Sequence, residues 1–78
     1  METCNGQIIP LTHLKLGIPA KVVSVNRDVA ERLSGFGVYP GARIEVHQKY
    51  PSFVIRVDEI ELALEAKVAQ TVRVRPLR

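Results

Sequence analysis

The spacing of apolar residues changes several times along the chain, and each change marks an element. From Ala20 to Asn26 the run is rich in β-branched residues, with Val22, Val23 and Val25 as its apolar members, which predicts a strand. The period then lengthens. Val29, Leu33 and Phe36 recur at i, i+4 and i+7, so they share one face of a short helix. Asp28 stands three residues before Glu31, a capping-box spacing with Asp in the usual Ser/Thr place. Gly37 is the natural residue just beyond the helix end, and Val38-Tyr39-Pro40-Gly41 reads as a turn.

Strict alternation follows. Ala42, Ile44, Val46, Gln48 and Tyr50 point one way, and Arg43, Glu45, His47 and Lys49 the other. Pro51-Ser52 ends that strand. Phe53, Ile55 and Val57 share a face, whereas Ile60, Leu62 and Leu64 have the opposite parity, so a turn falls at Asp58-Glu59. Glu65 to Gln70 fits a helical turn, and Thr71 to Arg75 a last strand with Val72 and Val74 inward. Ahead of these elements, residues 1–9 read as a leader in which Gln7-Ile8-Ile9 adds a short edge pairing. Pro10 to Gly17 has a turn former at each end, with Thr12 placed to cap one helical turn and Gly17 suited to its left-handed exit.

These elements predict a mainly β fold, a small SH3-like barrel of about five antiparallel strands with one short helix. Short antiparallel strands bury one face best by curling, which also removes open edges. The expected core is Val23, Val25, Leu33, Phe36, Ile44, Val46, Ile55, Val57, Leu62, Leu64, Val72 and Val74. A chain of 78 residues has room for one such domain, spanning 1–78, and little freedom to hollow out a deep active site.

Composition adds exclusions. Hydrophobic residues at 46% and charged residues at 24% describe a globular chain, neither disordered nor membrane-spanning. The first residues have no positive and apolar regions of a signal peptide, and a lone cysteine fits a reducing cytoplasm. The net charge of +3 is mild and both signs are interspersed except in the tail from Arg73 to Arg78, so nucleic acid is not the expected partner.

No catalytic constellation is present. The phosphate-cradling Gly-x-x-x-x-Gly-Lys-Ser/Thr loop is missing, and Gly35, Gly37 and Gly41 follow a helix rather than a strand, so they carry no dinucleotide fingerprint. Ser24, Ser34 and Ser52 have no base paired with them in any pattern. Cys4, His13 and His47 are scattered soft ligands, and the acidic run at Asp58, Glu59 and Glu61 reads as a solvated hairpin turn. The chain is expected to bind a partner, with no catalytic, cofactor-binding or metal-ligating residue assigned.

Several stretches together resemble a known family. Pro10-Leu11-Thr12-His13-Leu14-Lys15-Leu16-Gly17 looks like the opening of the ferrous iron transport protein A (FeoA) family, and Arg32 to Gly41 is similar to its central helix-turn stretch. Ile55 to Leu64 resembles the hairpin that follows, and Ala66 to Val74 the closing helical turn and strand, so the likeness runs from residue 10 to 75. Phe36 stands where the family has leucine, Gly35 where it keeps a helix former, and Glu65 where a basic residue is common; the hairpin glycine is missing at Asp58-Glu59. The resemblance implies a cytoplasmic accessory or regulator of bacterial ferrous iron uptake, acting by protein–protein interaction with the membrane iron permease that carries a GTPase domain. The same module occurs as the C-terminal domain of iron- and manganese-dependent repressors. A chain starting at its own Met1 with no helix-turn-helix ahead favours the free-standing form. Alternative readings are a small nucleic-acid-binding SH3-like barrel and a free-standing relative of the repressor domain. Weak self-association into a homo-oligomer is a further expectation.

A filled barrel presents function through its loops. Two stretches carry apolar or aromatic residues that the core does not obviously need: Tyr39 and Pro40 after the helix, and Tyr50 to Phe53. With Arg32 on the polar side of the helix, these residues (Arg32, Tyr39, Pro40, Tyr50 and Phe53) make the expected partner surface.

Overall fold

Alternating apolar residues and tight turns give one antiparallel sheet in the computed structural model, which describes residues 7–77. The strands are β1 (Ile9–Pro10), β2 (Ala20–Ser24), β3 (Arg43–Gln48), β4 (Phe53–Val57), β5 (Ile60–Leu64) and β6 (Arg73–Pro76), hydrogen-bonded in the order β1-β6-β2-β3-β4-β5. A 3-10 turn at Leu11–His13, helix α1 (Arg27–Ser34) and helix α2 (Ala66–Thr71) complete the fold. The short pairing at residue 9 and the helical turn after residue 65 are where the sequence places them, and together with the other strands they bring the count to six rather than five. The strand order leaves β5 paired with β4 alone among the described residues, so its outer edge stays open instead of being closed by the curl of the sheet.

The inner face of the sheet carries the core. Ala20, Val22, Ile44, Val46, Phe53, Ile55, Val57 and Val74 are buried there, joined by Leu11, Leu14, Leu33, Val38, Ala42, Ala69 and Val72 from the connections and helices. Val23 and Val25 are half-buried; Val22 takes the inward place because β2 alternates from Ala20, whose partners across the sheet are Ile44 and Pro76. Leu62 and Leu64 are half-buried against the core, as befits an edge strand.

Helix α1 is held at both ends by local chemistry. The side chain of Asn26, not Asp28, caps it: Asn26 Oδ1 accepts the backbone N–H of Asp28 at 2.7 Å. At the other end Val38 N–H reaches the Leu33 carbonyl (2.9 Å) and Gly37 N–H the Ser34 carbonyl (3.0 Å), the paired bonds of a Schellman ending with Gly37 at φ +93°. That reversal corrects the expected role of Phe36. The helix stops at Ser34, so the i+7 position is no longer on its buried face, and Phe36 is 48% exposed while Leu33 and Val38 fill the core. Thr12 likewise makes no side-chain cap of the 3-10 turn; Leu11 anchors it by burial, and Gly17 leaves it at φ +77°.

Two irregularities turn side chains outward. The β3–β4 register shifts between Val46 and Gln48, so Gln48 and Tyr50 leave the face that their parity shares with Ile44, and Tyr50 is 87% exposed. At the β4–β5 hairpin Asp58 adopts φ +56° in place of glycine, and Arg56 Nε donates to the Asp58 carbonyl at 3.1 Å across the turn.

Candidate functional site

The expected partner surface divides into two regions. After α1, the turn from Tyr39 to Ala42 is fixed by the Ala42 N–H to Tyr39 carbonyl bond (2.9 Å), and Gly41, at φ +97°, donates to the Val22 carbonyl at 2.8 Å. Val38 is buried beneath it, which leaves Tyr39 and Pro40 exposed at the surface, next in the chain to the helix that carries exposed Arg32 in its last turn. A rigid backbone under an exposed aromatic ring is a suitable anchor, because little conformational freedom is lost on contact.

The second region is a groove of about 290 Å³ lined by Thr12, Lys49, Tyr50, Pro51, Phe53 and Ala66. Lys49 Nζ donates to the Thr12 carbonyl at 3.2 Å and Gln48 Nε2 to the Ser52 carbonyl at 3.2 Å, so the β3–β4 connection is tied down on both sides. Phe53 does not sit on the surface as the sequence reading has it. It is 8% exposed and pairs with Leu64, forming the floor of the groove while Tyr50 and Pro51 form its rim. None of Arg32, Tyr39 or Pro40 lines this groove. The contributions of Thr12, Lys49 and Ala66 were invisible in sequence, since three separate segments meet there.

The outer face of the sheet brings together residues that alternation alone marks only as outward. Register places Glu45 opposite Arg56 and Arg56 opposite Glu61. His47 Nδ1 lies 3.1 Å from Glu61 Oε2, and its Nε2 lies 3.7 Å from Glu45 Oε1. The two carboxylates contact different ring nitrogens, so they do not converge on one ion position. Among the described residues no group of three His, Cys, Asp or Glu is placed to hold a metal ion. His13 is exposed, and Cys4 lies outside the described residues.

Residues 9–76 match the FeoA domain family. The chain belongs to that family. A crystal structure of an iron uptake regulatory protein (FeoA) superimposes with a TM-score of 0.81 at 29% identity, over 91% of this chain and 99% of that one. FeoA of Stenotrophomonas maltophilia, solved with zinc and described as an SH3 domain protein, matches with a TM-score of 0.70 at 29% identity, over 82% and 86% of the two chains. The FeoA domain described here therefore has the SH3-like fold. The T. acidophilum IdeR structure also matches, with a TM-score of 0.81 over 97% of this chain but 36% of its own, and at 18% identity that is a likeness of fold alone. No curated protein sequence is significantly similar to the chain.

Proposed function

We propose that this FeoA domain is an accessory or regulatory protein of ferrous iron uptake that works in the cytoplasm by binding the membrane iron permease that carries a GTPase domain. The observation that carries the reading is the family match over residues 9–76. It is supported by relatives of the same size that are described as an iron uptake regulatory protein and as a candidate ferrous iron transport activating factor. The reading gives the chain no catalytic step; its work is recognition.

The docking surface we assign is the turn carrying Tyr39 and Pro40 with the neighbouring Arg32, and Tyr50 at the rim of the second groove is a further contact. Phe53 contributes from beneath, as packing that holds Tyr50 and Pro51 in place. Co-purification of the chain with the permease's cytoplasmic domain, with and without guanine nucleotide, tests the partner. Tyr39→Ala and Arg32→Glu should each weaken that binding at least tenfold and leave the melting temperature within a few degrees, about the shift of a small surface ΔΔG. Undiminished binding by both variants would remove this surface, and no association of the parent chain would remove the partner.

A further inference from the structure

Strand pairing assembles a row of like charges that the sequence disperses. Lys21 on β2 lies directly opposite Arg43 on β3 and, on its other side, directly opposite Arg75 on β6. Directly opposed residues share a sheet face with Cβ atoms about 5 Å apart, so the three cations stand in a line of about 10 Å across adjacent strands. All three are exposed, and Arg73 stands two residues before Arg75 on the same face of β6. Like charges directly opposite one another destabilise a sheet. Among the described residues the acid–base side-chain contacts within 4.0 Å are those of His47 with Glu45 and Glu61, and neither involves this row. Glu45 and Asp58 line a groove with Arg43 and Arg56 at one end of the row, and neither Lys21 nor Arg75 lines that groove.

We propose that the Arg43–Lys21–Arg75 row is a contact surface for an anionic lipid bilayer, which it meets through the headgroup phosphates. Charge complementarity supplies the attraction, and the placement of the row supplies the geometry. It crosses the outer face of the sheet rather than an edge, so it can lie flat on a plane of phosphates. Leu77 extends the parity of Arg73 and Arg75, is 44% exposed, and is held by its N–H bond to the Pro19 carbonyl at 2.9 Å, so an apolar side chain stands beside the cations. Each basic residue near an anionic leaflet contributes about 1 kcal/mol of attraction, and an apolar side chain buried at the interface adds to it. A single-stranded nucleic acid would call for aromatic stacking platforms within the row, and the row holds none. Among the described residues no helix is long and apolar enough to cross a membrane, so this contact is one of surface association.

The contact needs no permease, and its test uses the purified chain with sucrose-loaded vesicles. Vesicles of phosphatidylglycerol and phosphatidylcholine in equal parts should sediment the protein, and pure phosphatidylcholine vesicles should not. Binding should fall steeply as salt rises, because the interaction is between exposed charges. Lys21→Gln and Arg43→Gln should each lower the partition coefficient about fivefold, the factor for one basic residue near an anionic surface. Arg27→Gln, a cation at the start of α1 outside the row, should leave it unchanged if the row is the contact. Equal losses from Arg27→Gln and Lys21→Gln would mean that net charge alone drives binding and would overturn the assignment. So would binding to an acidic peptide or to RNA in the absence of any affinity for phosphatidylglycerol vesicles. Failure here leaves the permease reading standing, since its assay contains no lipid surface.

Discussion

The Schellman ending of α1 offers a sharp test of how packing and backbone strain combine. Gly37 and Gly41 adopt nearly the same positive φ, +93° and +97°, so an alanine at either meets similar backbone strain. That strain is about 1–2 kcal/mol, partly offset by the ~0.4–1 kcal/mol that alanine gains by restricting the unfolded chain. Their surroundings differ. A Cβ at Gly41 would meet nothing within 4 Å, whereas one at Gly37 would stand 3.1 Å from Val57 Cγ1, closer than ordinary contact. Val57 is buried in β4 and cannot retreat freely, so the added methyl incurs an overpacking cost of about 1–3 kcal/mol. Gly41→Ala should therefore cost about 1 kcal/mol and Gly37→Ala about 2–4 kcal/mol, out of a total stability on the order of 4–12 kcal/mol for a domain of this size.

A double-mutant cycle separates the two contributions. Val57→Ala removes Cγ1 at its own cost of roughly 2 kcal/mol, and in that background Gly37→Ala should lose only its strain component. The cycle should thus show a favourable coupling of about 1 kcal/mol or more between positions 37 and 57, and none between 41 and 57. Urea unfolding followed by far-ultraviolet circular dichroism measures all of these values. Equal costs for the two glycine variants, or no coupling with Val57→Ala, would show that the contact between helix end and strand does not carry the difference.

Two further stability predictions concern the same helix. Leu33→Ala should cost ~2–5 kcal/mol by opening a cavity beneath α1, and a loss under 1 kcal/mol in urea unfolding would contradict its place in the core. Asn26→Ala should cost about 1 kcal/mol by removing the cap, whereas Asp28→Ala should cost no more than the ~0.3–1 kcal/mol of a helix-terminal charge; the reverse order would restore Asp28 as the cap.

Much of the fold is legible because its rules are local. Alternation in β3 and β4 puts Ile44, Val46, Ile55 and Val57 inward whatever lies across from them, since one face of the sheet must be dry. Gly37 and Gly41 announce positive φ because other residues are strained there, and the parity change from Val57 to Ile60 forces a hairpin even without glycine. Where a reading failed, a tertiary contact had overruled a spacing. Phe36 obeys helical periodicity but falls beyond the helix, since burial of Val38 stabilises the reversal at Gly37 and leaves no inward place for the ring. Val22 displaces Val23 because β2 is flanked on both sides, and the face it turns inward is set by Ile44 and Val74.

The proposed surfaces divide in the same way. Tyr39 and Pro40 could be singled out from the chain because Pro40-Gly41 mark a turn after the helix, and the tertiary structure then buries Val38 of that turn while leaving Tyr39 and Pro40 at the surface. Parity aligns Phe53 with the core residues Ile55 and Val57 and Tyr50 with Ile44 and Val46; the register shift after Val46 turns Tyr50 out to the rim, while the pairing of Phe53 with Leu64 keeps Phe53 on the floor. The cationic row lies furthest beyond sequence. Lys21 and Arg43 are ordinary outward residues on their own strands, Arg75 belongs to the basic tail, and the balanced charge elsewhere argues against a basic face. Composition determined how many charges the molecule carries; the register of β2 against both β3 and β6 decided that three of them stand side by side, because pairing in a sheet sets neighbours by hydrogen bonding across the fold and not by distance along the chain.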